Sequence, residues 1–224
     1  MAKSRWISDL QWVRTGQQSR SQKTQELLLD AAEVLFSEQG VDATSVADVA
    51  ARAKCSVGAV YHHFKDKKTL LYAIFERMSE RYQATTRDAV DPERWDGASI
   101  TDILQGYLEF SLEAGRNRPV FKQAGIEASR NDPKLRENLL ALYAEANEGI
   151  TKLLLARRDE IGHPAPELAI DFVLDQLGSM IKTRLDELIL PTQLAKSSDA
   201  EFIRESLRSV CGYLQVKRPA ELTE

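Results

Sequence analysis

Along most of this chain apolar residues recur three and four positions apart, and nowhere do they alternate persuasively with polar ones, so the pattern predicts helices and no sheet. A first helix over about residues 21–39 gathers Leu28, Ala31, Ala32, Leu35 and Phe36 on one face. It stops at Gly40, a residue suited to the left-handed conformation that follows a helix end. Two short helices come next. The first starts at Thr44 or Ser45 and carries Val46, Val49, Ala50 and Ala53 on one side, with Ser45 and Asp48 spaced for a reciprocal capping box. The second runs from Val57 to about Phe64, is capped by Ser56, and turns Val60 and Phe64 toward Ala50 and Ala53. A fourth helix, about 67–89, presents Leu70, Leu71, Ile74, Phe75, Met78 and Tyr82 as a stripe before Asp91, Pro92 and Gly97 break the pattern.

Helical spacing continues through the remainder. Ile100, Ile103, Leu104, Tyr107 and Leu108 line a helix ending near Gly115, and a shorter one follows Pro119 over 121–130. Another starts within 131–134 and runs to about Asp159, with Leu135, Leu139, Leu142, Ala146, Ile150 and Leu153 in step; Gly162, Pro164 and Pro166 then interrupt the chain. The last two helices, about 166–190 and 199–216, each carry an apolar stripe, and Phe172, Val173 and Phe202 add apolar surface beside it. One helix pair cannot hide all of this. The pattern therefore predicts a symmetric four-helix interface between two copies, formed around Phe172, Leu177, Ile181, Phe202, Ser206 and Val210.

The short helix at 57–64 has an unusual outer face: Val57, Ala59, Tyr61 and His62 are small or flat, and no long charged chain stands among them. Such a face suits the floor of a DNA major groove, which is wide enough to admit a helix. Val57, Gly58, Ala59 and His62 are the candidates for base contacts. Tyr61 and His63 can donate to backbone phosphates, and Lys65, Lys67 and Lys68 bring cations to the edge of the same surface.

The run AAEVLFSEQGVDATSVADVAARA, then SVGAVYHHF, then KDKKTLLYAIF, spanning Leu28 to Phe75, resembles the N-terminal domain of the TetR/AcrR family of transcriptional regulators. The resemblance implies an all-α protein in which a three-helix, helix-turn-helix DNA-binding domain precedes a C-terminal helical domain for ligand binding and dimerisation. It also implies a homodimer that represses genes and releases its operator when a small molecule binds. Residue by residue, Thr44, Tyr61, His63 and Lys67 match family positions that touch phosphates, and Val57, Gly58, Ala59 and His62 match positions near base edges. Cys55 departs from the pattern, standing in the turn where an aliphatic residue is common, but it is small and apolar enough to fill that space. On this reading residues 1–21 are a basic extension, 22–68 the DNA-binding domain, 69–90 a connecting helix and 91–224 the effector-binding and dimerisation domain. Tyr107, Phe110, Phe121, Ile126, Tyr143, Phe172 and Met180 are the candidate lining of the effector pocket, their character pointing to a largely apolar or aromatic effector.

Composition changes this picture little. The 224 residues, 43% hydrophobic and 29% charged, are those of a globular protein. A net charge of -4 argues against nucleic acid only until it is divided by segment: residues 1–25 and 52–68 each sum to +4. Two cysteines make no disulfide framework, no stretch has the length and apolarity of a membrane span, and the opening residues lack the continuous core of a signal peptide, so a cytoplasmic setting is expected. Trp6, Trp12, Arg14 and Arg20 leave three readings of the extension open: an arm along DNA, an extra helix, or a mobile leader. No enzyme is expected, since no phosphate loop or activated nucleophile is evident, and no cofactor is implied. Cys55, His62 and His63 lack a fourth ligand, and adjacent helical histidines diverge. The rival readings are a helical scaffold protein and, more remotely, a helical enzyme using residues 98–216.

Overall fold

The computed structural model describes residues 20–116, 133–185 and 196–216. Among these are eight α-helices: α1 (Arg20–Gln39), α2 (Val46–Arg52), α3 (Val57–His63), α4 (Lys67–Ala89), α5 (Ile100–Arg116), α6 (Pro133–Leu155), α7 (Pro166–Leu185) and α8 (Asp199–Leu214). Short 3-10 turns at Pro92–Trp95 and Arg158–Glu160 occupy the two proline- and glycine-marked breaks. The expected helix at 121–130 and the extension at 1–19 lie outside the described residues. No described helix is long and apolar enough to cross a membrane.

The chain forms two compact units, and they part within α4, after Ala84. In the first unit the inner face of α1 (Leu28, Ala31, Ala32, Leu35, Phe36) is buried against Val49 and Ala50 of α2, Val60 of α3, Phe64, and Leu70, Leu71, Ile74, Phe75 and Met78 of α4. Leu142 of α6 joins the same core, and Leu139 packs on it. The spacing of three and four that predicts each helix is thus also the spacing that brings these side chains together. Arg77 of α4 fastens the rim: its guanidinium donates to Glu26 (2.9 Å), Asp30 (2.7 Å) and Glu33 (2.6 Å), which lie one turn apart along α1. Burial works against the charge of Arg77, but these acidic partners outweigh it and hold the guanidinium more firmly protonated than usual.

The second unit is built on α5, α7 and α8. Ile100, Ile103, Leu104, Leu108, Ile170, Val173, Leu177, Phe202 and Val210 are buried there. The rim of the Trp95 indole abuts α5 at Gly106, where a Cβ would collide with it, and its Nε1 donates to the Ala89 carbonyl at 2.7 Å. Ser99 and Asp102 cap the start of α5 reciprocally, with the Ile100 amide donating to Glu160 at 3.0 Å. Three helices meet at Asp199 in the first turn of α8, which accepts from Arg116 of α5 (2.5 Å to one oxygen) and from Arg184 of α7 (2.7 Å). The Arg116 hydrogen bond, opposed by some desolvation and reinforced by Arg184, holds the Asp199 carboxyl well below the usual carboxylate range.

Two expectations follow. Phe36→Ala is expected to cost about 3–5 kcal/mol in urea unfolding, because the ring is buried and the cavity opens in the core that seats α3. Because the folded-state pKa of Asp199 is depressed, its contribution is present above the unfolded value near 3.8 and disappears as pH falls through the lower folded value. Stability measured against pH for Asp199→Asn and the parent chain is therefore expected to differ at neutral pH and to converge in acid.

Candidate nucleic-acid interface

The helix-turn-helix is set by three caps. Ser45 caps α2 by accepting from the Asp48 amide (3.1 Å), and Asp48 accepts in return from the Ser45 amide (2.8 Å). Ser56 caps α3 by accepting from the Ala59 amide at 3.1 Å. Between them α2 ends in two crossed hydrogen bonds, from the Lys54 amide to Ala51 and from the Cys55 amide to Ala50, the pattern that places a left-handed residue after a helix. That residue is Lys54, at φ +54°, where glycine is usual. Cys55 then turns inward and packs on the core, as its size and polarity predict.

This turn presents α3 by one side only. Val60 is buried, while Val57 (42% exposed), Gly58, Tyr61 (55% exposed) and His62 look outward, with Ala59 and His63 half-buried at the edges. A Cβ added at Gly58 would meet nothing closer than Ser56 Oγ at 3.7 Å, so the backbone there is open to an incoming surface. The His62 and His63 rings stand edge-on with centroids 5.2 Å apart. Lys65 is exposed beside them. Asp66 caps α4 by accepting from the Thr69 amide (2.7 Å) and hydroxyl (2.8 Å), bonds that hold its carboxyl below the ordinary value.

Two residues expected at phosphates have hydrogen-bond partners within the chain. Thr44 is 1% exposed; its hydroxyl donates to the Gly40 carbonyl (2.8 Å) and accepts from Gln39 Nε2 (3.1 Å), so it closes the end of α1. Lys67 Nζ donates to the carbonyls of Val41 (2.9 Å), Asp42 (3.2 Å) and Thr44 (3.1 Å). An ammonium has three protons, and all are taken by this turn. Sequence spacing alone placed both residues at the right end of the domain but could not say which way they point.

The other predicted sites divide similarly. Leu177, Ile181, Phe202, Ser206 and Val210, expected at an interface between copies, are buried within the subunit, because their stripes pack α7 and α8 on each other and on α5. Phe172, expected both there and in a pocket, is 54% exposed and packs against Tyr213 with centroids 5.2 Å apart and the rings tilted by 40°. Leu168, Ser209, Gly212 and Tyr213 share its exposure. Phe110 is buried, Tyr107 and Met180 are half-buried, and Tyr143 is exposed; Phe121 and Ile126 lie outside the described residues. Burial pushes the Tyr107 phenol up, as does the nearby Asp175 carboxylate, against a hydrogen bond with Ser111, which leaves a neutral hydroxyl.

The profile of the family described as bacterial regulatory proteins, tetR family, matches residues 28–74, the segment that contains the Ser45, Ser56 and Asp66 caps and most of the core that seats α3. The chain is 32% identical over 104 residues to the transposon Tn10 TetC protein of Escherichia coli, covering 45% of this chain and 51% of TetC. It is 32% identical over 141 residues to the HTH-type transcriptional regulator TtgR of Pseudomonas putida, covering 60% of this chain and 65% of TtgR. These alignments span about half to two thirds of the curated relatives. Among solved structures, a TetR-family transcriptional regulator from Mesorhizobium loti superposes with a TM-score of 0.58 at 18% identity over 88% of this chain and 98% of its own. SmeT in complex with triclosan superposes at 0.59, with 23% identity over 90% of this chain and 98% of its own. The helix-turn-helix segment thus matches the tetR family of bacterial regulatory proteins in sequence, and the fold is similar to that of solved TetR-family regulators over nearly the whole chain.

Proposed function

We propose that this chain is a ligand-responsive, sequence-specific repressor that grips a near-palindromic operator as a homodimer and releases it when a small, largely apolar or aromatic molecule binds. The observation that carries the reading is the outer face of α3: four neighbouring positions, Val57, Gly58, Tyr61 and His62, are exposed on a helix whose opposite side is locked into a core. A helix of this size fits the major groove, with Val57, Gly58, Ala59 and His62 at base edges and Tyr61, His63 and Lys65 at phosphates.

One such helix reads one half-site, so a two-fold pair is needed for an operator. Leu168, Phe172, Ser209, Gly212 and Tyr213 form the face that supports pairing, since they are exposed on α7 and α8 or beside them and Gly212 allows close approach. For the effector, Tyr107, Phe110 and Met180 of the second unit are the described candidates, Tyr107 supplying a neutral hydroxyl among apolar neighbours. The SmeT complex with triclosan supports the idea that this fold accommodates a small molecule. An effector that prefers the released form roughly a hundredfold supplies about 2.7 kcal/mol toward release. Helix α4 is the natural carrier of that change, because it starts beside α3 and its last residues belong to the second unit.

Selection of duplexes from a random pool is expected to return inverted repeats, and affinity for them by fluorescence anisotropy is expected to fall steeply with salt. Absence of binding at low salt refutes the proposal. Gly58→Leu is expected to leave the melting temperature unchanged, since the site is open, while abolishing tight binding. Phe172→Asp is expected to convert the dimer to monomer in sedimentation at micromolar concentration; a persistent dimer places the interface elsewhere.

A further inference from the structure

We infer that Lys54, in the turn between α2 and α3, is a ligand of DNA phosphate; the inference rests on the DNA-binding reading above and adds a contact to it. Lys54 stands at φ +54°, a conformation that presses any side chain toward the following carbonyl and that glycine alone adopts freely. The conformation is dictated by the end of α2, which is closed by the Lys54 amide donating to Ala51 (3.1 Å) and the Cys55 amide donating to Ala50 (2.9 Å). Glycine makes both bonds without strain. The presence of a lysine here has therefore to be accounted for by its side chain.

That side chain is exposed, and among the described residues it has no hydrogen bond, ion pair or ring contact. Each of the other cations in the segment has a neighbour of its own. Arg52 donates to Glu38 at 3.0 Å, Lys65 is attracted to Asp66, Lys67 donates to three carbonyls, and Lys68 Nζ lies 5.4 Å from the centre of the Tyr72 ring. Lys54 comes three residues before Val57 and Lys65 two residues after His63, so the two stand off opposite ends of a helix about 10 Å long. The major groove is about 12 Å wide and bordered by phosphates on both sides. With Val57 and Gly58 at base edges, Lys54 is no more than about 10 Å of chain away. Its four-carbon stem then carries the ammonium to the border of the groove, as that of Lys65 does from the far end of the helix.

A lysine just past the C-terminal end of α2 also complements the macrodipole of that helix, and the two roles differ in their readouts. A dipole role shows in the melting temperature alone. A phosphate ligand adds one counterion-release step, so its loss lowers the slope of log affinity against log salt by about 0.9 for each subunit bound. It also weakens all duplexes alike, because phosphate contacts carry no sequence information. The experiment takes the full chain, Lys54→Gly and Lys54→Arg, and measures melting temperature, affinity across a salt series on a duplex selected with the parent, and the sequences each variant recovers from a random pool. We expect Lys54→Gly to melt no lower than the parent, to recover the same sequences, and to bind about tenfold more weakly per subunit at the reduced slope. Lys54→Arg keeps the charge and is expected to keep the parental slope. A parental slope for Lys54→Gly overturns the inference, and a lower melting temperature beside it assigns the charge to α2. A slope reduced equally in Lys54→Arg also overturns it, since the loss then follows the turn and not the charge. A parent chain that binds no duplex at low salt is a different result, and removes the DNA-binding reading together with this inference.

Discussion

The seat of Val60 is the contact on which the remainder of the molecule depends. A helix of seven residues does not persist in water by itself, because nucleation costs more than so few hydrogen bonds return. Helix α3 exists because Val60, with Phe64 just beyond it, is buried against α1, α2 and α4. Burying that side leaves Val57, Gly58, Tyr61 and His62 in solvent, so the same contact that makes the helix also decides which residues can meet another molecule.

Polar groups do a different job from the core. In each unit a cation is spent on backbone carbonyls at a turn: Lys67 on Val41, Asp42 and Thr44, and Arg157 on Ala98 at 3.0 Å, Leu153 at 3.2 Å and the Trp95 carbonyl. Helix ends and turns leave carbonyls unpaired, and a buried unpaired carbonyl is costly. A long flexible side chain reaching back from elsewhere in the chain settles several of them at once. Lysine serves where three acceptors surround one point, and arginine where they are spread along an edge.

How much of this could be read in advance follows the range of the interaction. The capping box at Ser45, the Ser56 cap and the bounds of α4 depend on residues a few positions apart and were legible. The left-handed Lys54 was not, since only the crossed hydrogen bonds after α2 reveal it. Nor was Trp95, whose place depends on an absent Cβ at Gly106 on another helix. The stripes on α7 and α8 were expected to cover partly their own domain and partly a second copy, and their residues Leu177, Ile181, Phe202 and Val210 are buried within the subunit; an apolar stripe records that a face is covered and not what covers it.

Local spacing and side-chain chemistry thus settle the helices, their caps, the helix-turn-helix and its outward residues, because each of these is decided within one or two turns of chain. Orientation over longer distances was left to the folded arrangement: Thr44 turned in, Lys67 drawn to three carbonyls, Phe172 turned out beside Tyr213. A polar or apolar side chain with several partners within reach takes whichever one the packing of distant helices brings close, and periodicity carries no record of that choice.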